Sequence, residues 1–273
     1  MLSVVVKRLM PVRLKRAIKD FFIKQSCRGT LFHCPVCESG LNHFNRMHDY
    51  FLRELQDHQY IHSISAEETL NILNFECPFC GAYDRDRLFA LYYKALFPNL
   101  DQSRKYRFID FAPSDCLSPF LKNQSFLSYR SADLVDPRAD DKVDLTDMKI
   151  YGDESVDLFL CSHILEHVPD DRKGMRELHR ILHPKGQGIV MVPILLSLTD
   201  VYENSEMCSK SERWRHFGQD DHVRIYSKCG FVGRLEEAGF HVNQFGVGYF
   251  GEQIFEKHGI HPRSVLYVVN KAN

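Results

Sequence analysis

Along the second half of the chain, short apolar runs alternate with acids and turn residues. Phe108-Ile109-Asp110-Phe111 predicts a buried strand that carries one acid. Arg130-Ser131-Ala132-Asp133-Leu134 predicts a second strand end, and Val143-Asp144-Leu145-Thr146-Asp147 a third acidic turn. Val156 to His163 reads as a fourth strand running into Ile164-Leu165-Glu166-His167-Val168. A helix follows, then a Pro184-Lys185-Gly186 turn and a fifth strand from Gly188 to Pro193. Gly230 to Ala238 predicts a helix, and His241 to Val247 with Ser264 to Val269 a closing antiparallel pair. Strands alternating with helices predict an α/β fold around a parallel sheet.

The first third is patterned differently. Phe44, Met47, Phe51 and Leu55 recur at helical spacing. Asp84 to Tyr93 predicts a helix leading into the sheet domain, with Asp84 and Asp86 on a solvated face. Val12 to Lys24 predicts an amphipathic helix with Leu14, Ile18, Phe21 and Phe22 on one side. Three roles suit that helix: contact with an anionic membrane surface, contact with RNA phosphates, or packing on the neighbouring domain.

Composition narrows the class. The 273 residues are 44% hydrophobic and 26% charged, an ordinary soluble profile that fits one large domain and a small one. A net charge of −1 excludes a global field for nucleic acid. The charge is uneven: residues 1–28 hold eight Lys or Arg against Asp20 alone. No apolar run reaches membrane-spanning length, and charges interrupt the N-terminal apolar stretch, which makes a poor secretory signal. A cytoplasmic protein is expected, with the segment 12–24 available for peripheral contact at the inner membrane surface.

Four of the nine cysteines form two matching knuckles, Cys34-Pro35-Val36-Cys37 and Cys77-Pro78-Phe79-Cys80. Four thiolates at this spacing close a tetrahedral Zn2+ site in a reducing compartment. Four cysteines leave no open position, so the zinc is expected to be structural. The pattern resembles a zinc ribbon whose knuckles are separated by a long insertion, Glu38 to Glu76. His33, His43 and His48 are substitute ligands, while Cys27, Cys116, Cys161, Cys208 and Cys229 lack ligand spacing and read as small hydrophobes.

Acids at successive strand ends suit a ribose and an adenine bound at the carboxyl edge of a parallel sheet. The block from Phe159 to Val168, followed by Arg176 to Gly186, resembles the class I S-adenosylmethionine-dependent methyltransferases of type 11, over roughly residues 105–270. The resemblance implies a Rossmann-like seven-stranded sheet. It places S-adenosylmethionine against Asp110, Phe111, Ala112 and Pro113, against Asp133 and Leu134, and against Asp144, Leu145 and Thr146. It also implies contacts from Cys161, Ser162, His163 and His167. Asp133 would take the ribose hydroxyls. The chain departs from the family in its first loop, where Ala112, Ser114 and Cys116 fill three glycine positions. Side chains there narrow the approach to a ligand. The expected organisation is a basic segment 1–28, a zinc-ribbon-like module 29–83 and a methyltransferase domain 84–273.

Acceptor chemistry is expected in the long segment Leu195 to Asp221 and its continuation, His222-Val223-Arg224-Ile225-Tyr226. His216 and His222 are candidate general bases, with Asp220 or Asp221 to orient a ring. Together this group is also suited to a second metal. Glu166 and His167 are expected to start the helix after the fourth strand, where capping is the default role. The chain lacks an Asp/Asn-Pro-Pro-Tyr/Phe motif, which disfavours DNA adenine and other amine acceptors. The leading expectation is O-methylation of a small molecule or glycan. An RNA methyltransferase reading RNA through the zinc module, and a non-catalytic scaffold on the same fold, stand beside it.

Overall fold

A computed structural model describes residues 26–207 and 209–272. The amphipathic segment 12–24, with its membrane and RNA readings, and Cys208 lie outside the described residues.

Seven strands form one sheet. They are β3 (Tyr106–Phe111), β4 (Leu127–Asp133), β5 (Asp141–Lys142), β6 (Val156–Ser162), β7 (Leu182–Met191), β10 (Phe240–Phe245) and β11 (Leu266–Lys271). Their order is β10-β11-β7-β6-β3-β4-β5. β3 to β7 run parallel, while β11 runs antiparallel to both β7 and β10. This is the Rossmann-like seven-stranded arrangement of the methyltransferase fold, with a single reversed strand near one edge. β6 is buried on both faces, as its continuous apolar run requires. Gly188 on β7 is needed for the close approach of β6: a Cβ there would lie 2.1 Å from the Phe159 ring.

The sequence misplaces some boundaries. The fifth strand begins six residues early, at Leu182, because the Pro184-Lys185-Gly186 stretch is extended and joins β7. The helical spacing of Phe44 to Leu55 yields a helix only from Asp49, α1 (Asp49–Asp57). Before it, Asn45 bridges to Glu76, which draws Phe44 and Met47 into irregular backbone.

The hairpin β1 (Arg28–His33) and β2 (Gly40–Leu41) carries the first knuckle. The second precedes α2 (Asp84–Leu96). Asp84 and Asp86 are buried, not solvated, which corrects the sequence expectation. Asp84 accepts the Asn71 and Arg85 amides, and Asp86 accepts the Tyr83 amide as part of a capping box. Arg87 is fully buried between them and Phe44, and donates to the carbonyls of Asn74, Phe75, Ala82, His258 and Gly259. One hydrophobic core runs unbroken from Cys34, Leu41 and Phe44 through Phe89 and Phe108 to β11.

Candidate functional site

The four cysteines of the two knuckles meet. Cys34 Sγ lies 3.7 Å from Cys80 Sγ, and Cys37 Sγ 3.8 Å from Cys77 Sγ. All four sulfurs fall within 4.8 Å of one another. A tetrahedral ion with metal–sulfur bonds of about 2.3 Å requires sulfur–sulfur edges of about 3.8 Å. The backbone repeats in both knuckles: Glu38 donates to Cys34 and Gly81 to Cys77, and each of these donors has a positive φ, 58° and 78°. The histidines lie outside this set. His33 faces Glu38, His43 faces Cys27 and His48 faces Glu76.

At the carboxyl edge of the sheet, Asp110 is buried and accepts hydrogen bonds from Tyr129 at 2.8 Å and from Ser118, the first residue of α3 (Ser118–Lys122), at 3.4 Å. Burial pushes its carboxyl up to about 7 against those two bonds. Ala112 takes φ 49°, the conformation for which glycine is favoured, so the loop keeps a glycine-like path with a methyl group on it. Ser114 and Cys116 both donate to Asp86, at 3.4 and 3.5 Å, which ties the loop to α2. Pro113 lines a separate small hollow with Lys122 and Arg138.

Asp133 ends β4. Its Oδ1 accepts the Val135 and Asp136 amides at 2.7 and 2.8 Å. The neighbouring Leu134 is 51% exposed, an apolar face beside an acid. Asp144 is exposed and holds its own turn through Thr146. Phe111, Leu145 and Cys161 are core residues.

A cavity of roughly 470 Å³ opens where the N-terminal module meets the ends of β6 and β7. Module residues such as Phe51, Tyr60 and Glu67 form one wall, and His163, Glu166, His167 and His222 form the other. Arg85 is the one Arg or Lys among the lining residues. His163 follows β6 in a left-handed conformation, φ 56°, a local strain of the kind held at functional sites.

Glu166 and His167 lie in the turn before α4 (Asp171–Ile181) and do not start that helix, which Asp170 caps. Glu166 is 1% exposed, and neither carboxylate oxygen has a hydrogen-bond partner. His163 Nδ1 approaches to 3.4 Å without hydrogen-bond geometry. Burial opposes the charge on Glu166, but His163, His222 and His167 together bring its carboxyl down to about 2. His222 is buried, and burial lowers its imidazole to about 4, against the pull of Glu166. Its Nδ1 sits 3.2 Å from the Phe217 carbonyl, so Nδ1–H donates there and Nε2 carries the lone pair, unpartnered. Glu67, in the opposite wall, is raised to about 8 by burial and by the charges of Asp84 and Glu166.

The segment Leu195 to Asp221 is partly ordered as β8 (Tyr202–Glu203) and α5 (Lys210–Phe217). It brings Asp221 within 3.2 Å of His167, and the His167 and His222 rings meet edge to face at 4.6 Å. His216 is not brought to this group: its Nδ1 pairs with the Tyr202 hydroxyl at 2.7 Å. Asp220 pairs with Lys210. The spacing of His222, Arg224 and Tyr226 now has a physical reason. Alternate residues of this extended segment, which includes β9 (Arg224–Ile225), share a face. Arg224 donates to the carbonyls of Leu165, Val168 and Pro169 and so fixes the turn that carries Glu166 and His167. Tyr226 donates to Asp171 at 2.5 Å. Arg224, Glu67 and Arg85 were missed in the sequence because their partners are remote in the chain. Cys229 is exposed rather than a core hydrophobe, and donates to the Thr199 carbonyl.

Residues 121–190 match the family model described as "Methyltransferase domain". That span holds β4, β5, β6, α4 and nearly all of β7, and includes Glu166 and His167. No curated protein matches the sequence. Among solved structures, the CurJ carbon methyltransferase aligns at TM-score 0.46 and 14% identity, covering 69% of this chain and 54% of that one, so this chain spans about half its length. An S-adenosylmethionine dependent methyltransferase from Mesorhizobium loti aligns at TM-score 0.40 and 14% identity, covering 66% and 98%. The 1,6-didemethyltoxoflavin-N1-methyltransferase of Burkholderia thailandensis, solved with S-adenosylhomocysteine, aligns at 0.41 and 14%, covering 70% and 87%. No helix among the described residues is long and apolar enough to cross a membrane.

Proposed function

We propose that the protein is an S-adenosylmethionine-dependent methyltransferase acting on a hydroxyl oxygen of a small molecule or glycan. The observation that carries this reading is the buried, unpartnered Nε2 of His222 at the wall of a cavity beside the carboxyl ends of β6 and β7. Open α/β sheets bind ligands at that edge, and the match to a methyltransferase domain covers the turn that forms the wall.

The residues of the edge fit the cofactor. Asp133 is suited to the ribose hydroxyls and the exposed face of Leu134 to adenine. The glycine-like backbone at Ala112 keeps the loop on the path that a close approach requires, with a methyl group that narrows it. When bound, S-adenosylmethionine supplies an electrophilic methyl group whose sulfur leaves as a neutral thioether. The cavity aligns the acceptor and excludes water. His222 Nε2 takes the acceptor proton, with Nδ1–H held by Phe217. Arg85 offers a partner for an anionic group on a ligand. The four-cysteine set holds a structural zinc that braces the cavity wall.

Calorimetric titration of the zinc-replete chain with S-adenosylmethionine and S-adenosylhomocysteine tests this reading. Binding on the order of micromolar, weakened in Asp133→Ala, is expected. Absence of binding to folded protein would overturn it in favour of the scaffold. Transfer of labelled methyl to RNA but not to hydroxyl compounds would replace the acceptor class.

A further inference from the structure

We propose that Glu166, His167 and His222 form a second metal site, distinct from the four cysteines, for one divalent transition-metal ion of the zinc class. A potential ligand atom from each of the three lies within 4.8 Å of the others. Both oxygens of Glu166 and the Nε2 of His222 are buried without hydrogen-bond partners. A buried carboxyl group whose two oxygens make no hydrogen bond is costly, even with the His163 ring 3.4 Å away, and groups of this kind persist when a cation completes them.

The outer nitrogens give the second, independent observation. His222 Nδ1 is engaged by the Phe217 carbonyl at 3.2 Å, and His167 Nδ1 by Asp221 at 3.2 Å. Metal-bound histidines donate their remote N–H to a carbonyl or carboxylate, which fixes the tautomer and aims the other lone pair at the ion. His222 has that arrangement as a hydrogen bond, His167 has the Asp221 carboxylate beside its Nδ1 as an ion pair, and His167 Nε2 faces Glu166 Oε1 at 4.0 Å. Two imidazoles and one carboxylate suit a borderline divalent ion, and three protein ligands leave positions open to the cavity. The four-cysteine set has no such opening. In the methyl-transfer reading, an acceptor oxygen would complete the coordination and be acidified by the ion, its proton passing to water in the open cavity, so that His222 is a ligand when the ion is bound and a base only in the ion-free protein. That role rests on the proposed function; the ion site rests on the geometry alone.

The test is metal content of the full chain after equilibrium dialysis against buffered Zn2+. Two zinc ions per chain are expected in the wild type and one in His222→Ala and in His167→Ala, with the cysteine-bound ion retained as the internal measure of folding. Cobalt substitution separates the sites: the thiolate charge-transfer bands should persist in the variants while the weaker bands of a nitrogen–oxygen site vanish. Asp221→Asn, which keeps all three ligands, should weaken the second site about 10–100-fold. If the alanine variants fail to fold, Glu166→Gln takes their place and should lose the second ion. One ion per wild-type chain, or two retained in the variants, would overturn the proposal. Either result leaves S-adenosylmethionine binding untouched, so the two readings fail separately.

Discussion

Tyr129 donates its phenolic hydrogen to Asp110 Oδ2 across 2.8 Å, which joins neighbouring parallel strands just below the loop of Ala112. The bond does not offset the burial of the acid, whose carboxyl titrates near 7 in the fold against about 4 when unfolded. The folded state therefore binds more protons between these values. The contribution of Asp110 to stability is complete below about pH 4 and is lost as pH rises through 7. Asp110→Asn keeps an acceptor for Tyr129 without the ionisable group. It should gain stability relative to wild type at pH 8 over pH 5. Thermal unfolding at the two pH values checks this; equal differences at both would show that Asp110 is not the titrating group.

The cysteine set is continuous with the main core, since Cys34 and Cys77 pack in the same cluster as Phe89 and Phe108. Cys77→Ser, or chelation of the wild type, should therefore lower the stability of the whole chain by several kcal/mol in one transition. Calorimetry with zinc analysis measures both effects. Full zinc occupancy in Cys77→Ser would remove that residue from the ligand set.

Arg87 fastens the segments around Asn74 to Ala82 and His258 to Gly259 onto α2 with five carbonyl contacts, and its guanidinium lies 3.9 Å over the Phe44 ring. Removing it strands those carbonyls and leaves the buried Asp84 without the cation that most favours its charge. Arg87→Ala should cost about 3–5 kcal/mol. Arg87→Lys should recover little, because an ammonium cannot reproduce the planar fork. Urea unfolding compares them, and a loss under 1 kcal/mol for Arg87→Ala would show that the network is dispensable.

What the sequence made legible was local. The strands ending at Phe111 and Ser162 announce themselves because parallel strands buried on both faces read as apolar runs, whereas the strand ending at Asp133, half exposed, is marked by its terminal acid. The two Cys-x-x-Cys pairs declare their chemistry by spacing alone. Asp84 and Asp86 misled because acids at a helix start look solvated. Their burial is created by Asn71, Tyr83 and Arg87, and by a loop that folds back from Ser114 and Cys116. The meeting of His167 with His222 was equally hidden. His222 was recognisable as a chemical group, but its neighbours Glu166 and His167 lie more than fifty residues earlier and are delivered by Arg224 bonding to the turn between them. His216, close in sequence to His222, is drawn away by Tyr202.

Asp133 should contribute to cofactor binding through its charge and to its own turn through Oδ1. Asparagine keeps the acceptor for Val135 and Asp136 and removes the charge. Asp133→Asn should weaken S-adenosylmethionine binding by about 1.5–3 kcal/mol with unchanged stability, whereas Asp133→Ala should lose both. Calorimetry and thermal unfolding separate the two effects. Wild-type affinity in both variants would show that the ribose lies elsewhere.

Ala112 poses the sharpest question about the altered loop. At φ 49° its methyl group sits in the left-handed region, at a cost of about 1–2 kcal/mol for a residue with a Cβ. Glycine would relieve that strain but adds about 0.5–1 kcal/mol of unfolded-state freedom. The opposing terms leave Ala112→Gly within about 1 kcal/mol of wild-type stability. The methyl group also faces the constraint identified in the sequence, since close backbone approach to a ligand is the reason for glycine here. Ala112→Gly should therefore tighten S-adenosylmethionine binding while leaving the unfolding midpoint nearly unchanged, as calorimetry and urea titration would measure. Weaker binding in a variant of unchanged stability would show that the methyl group contacts the cofactor favourably, and that the chain has adapted this loop to its own ligand geometry rather than merely tolerating the loss of glycine.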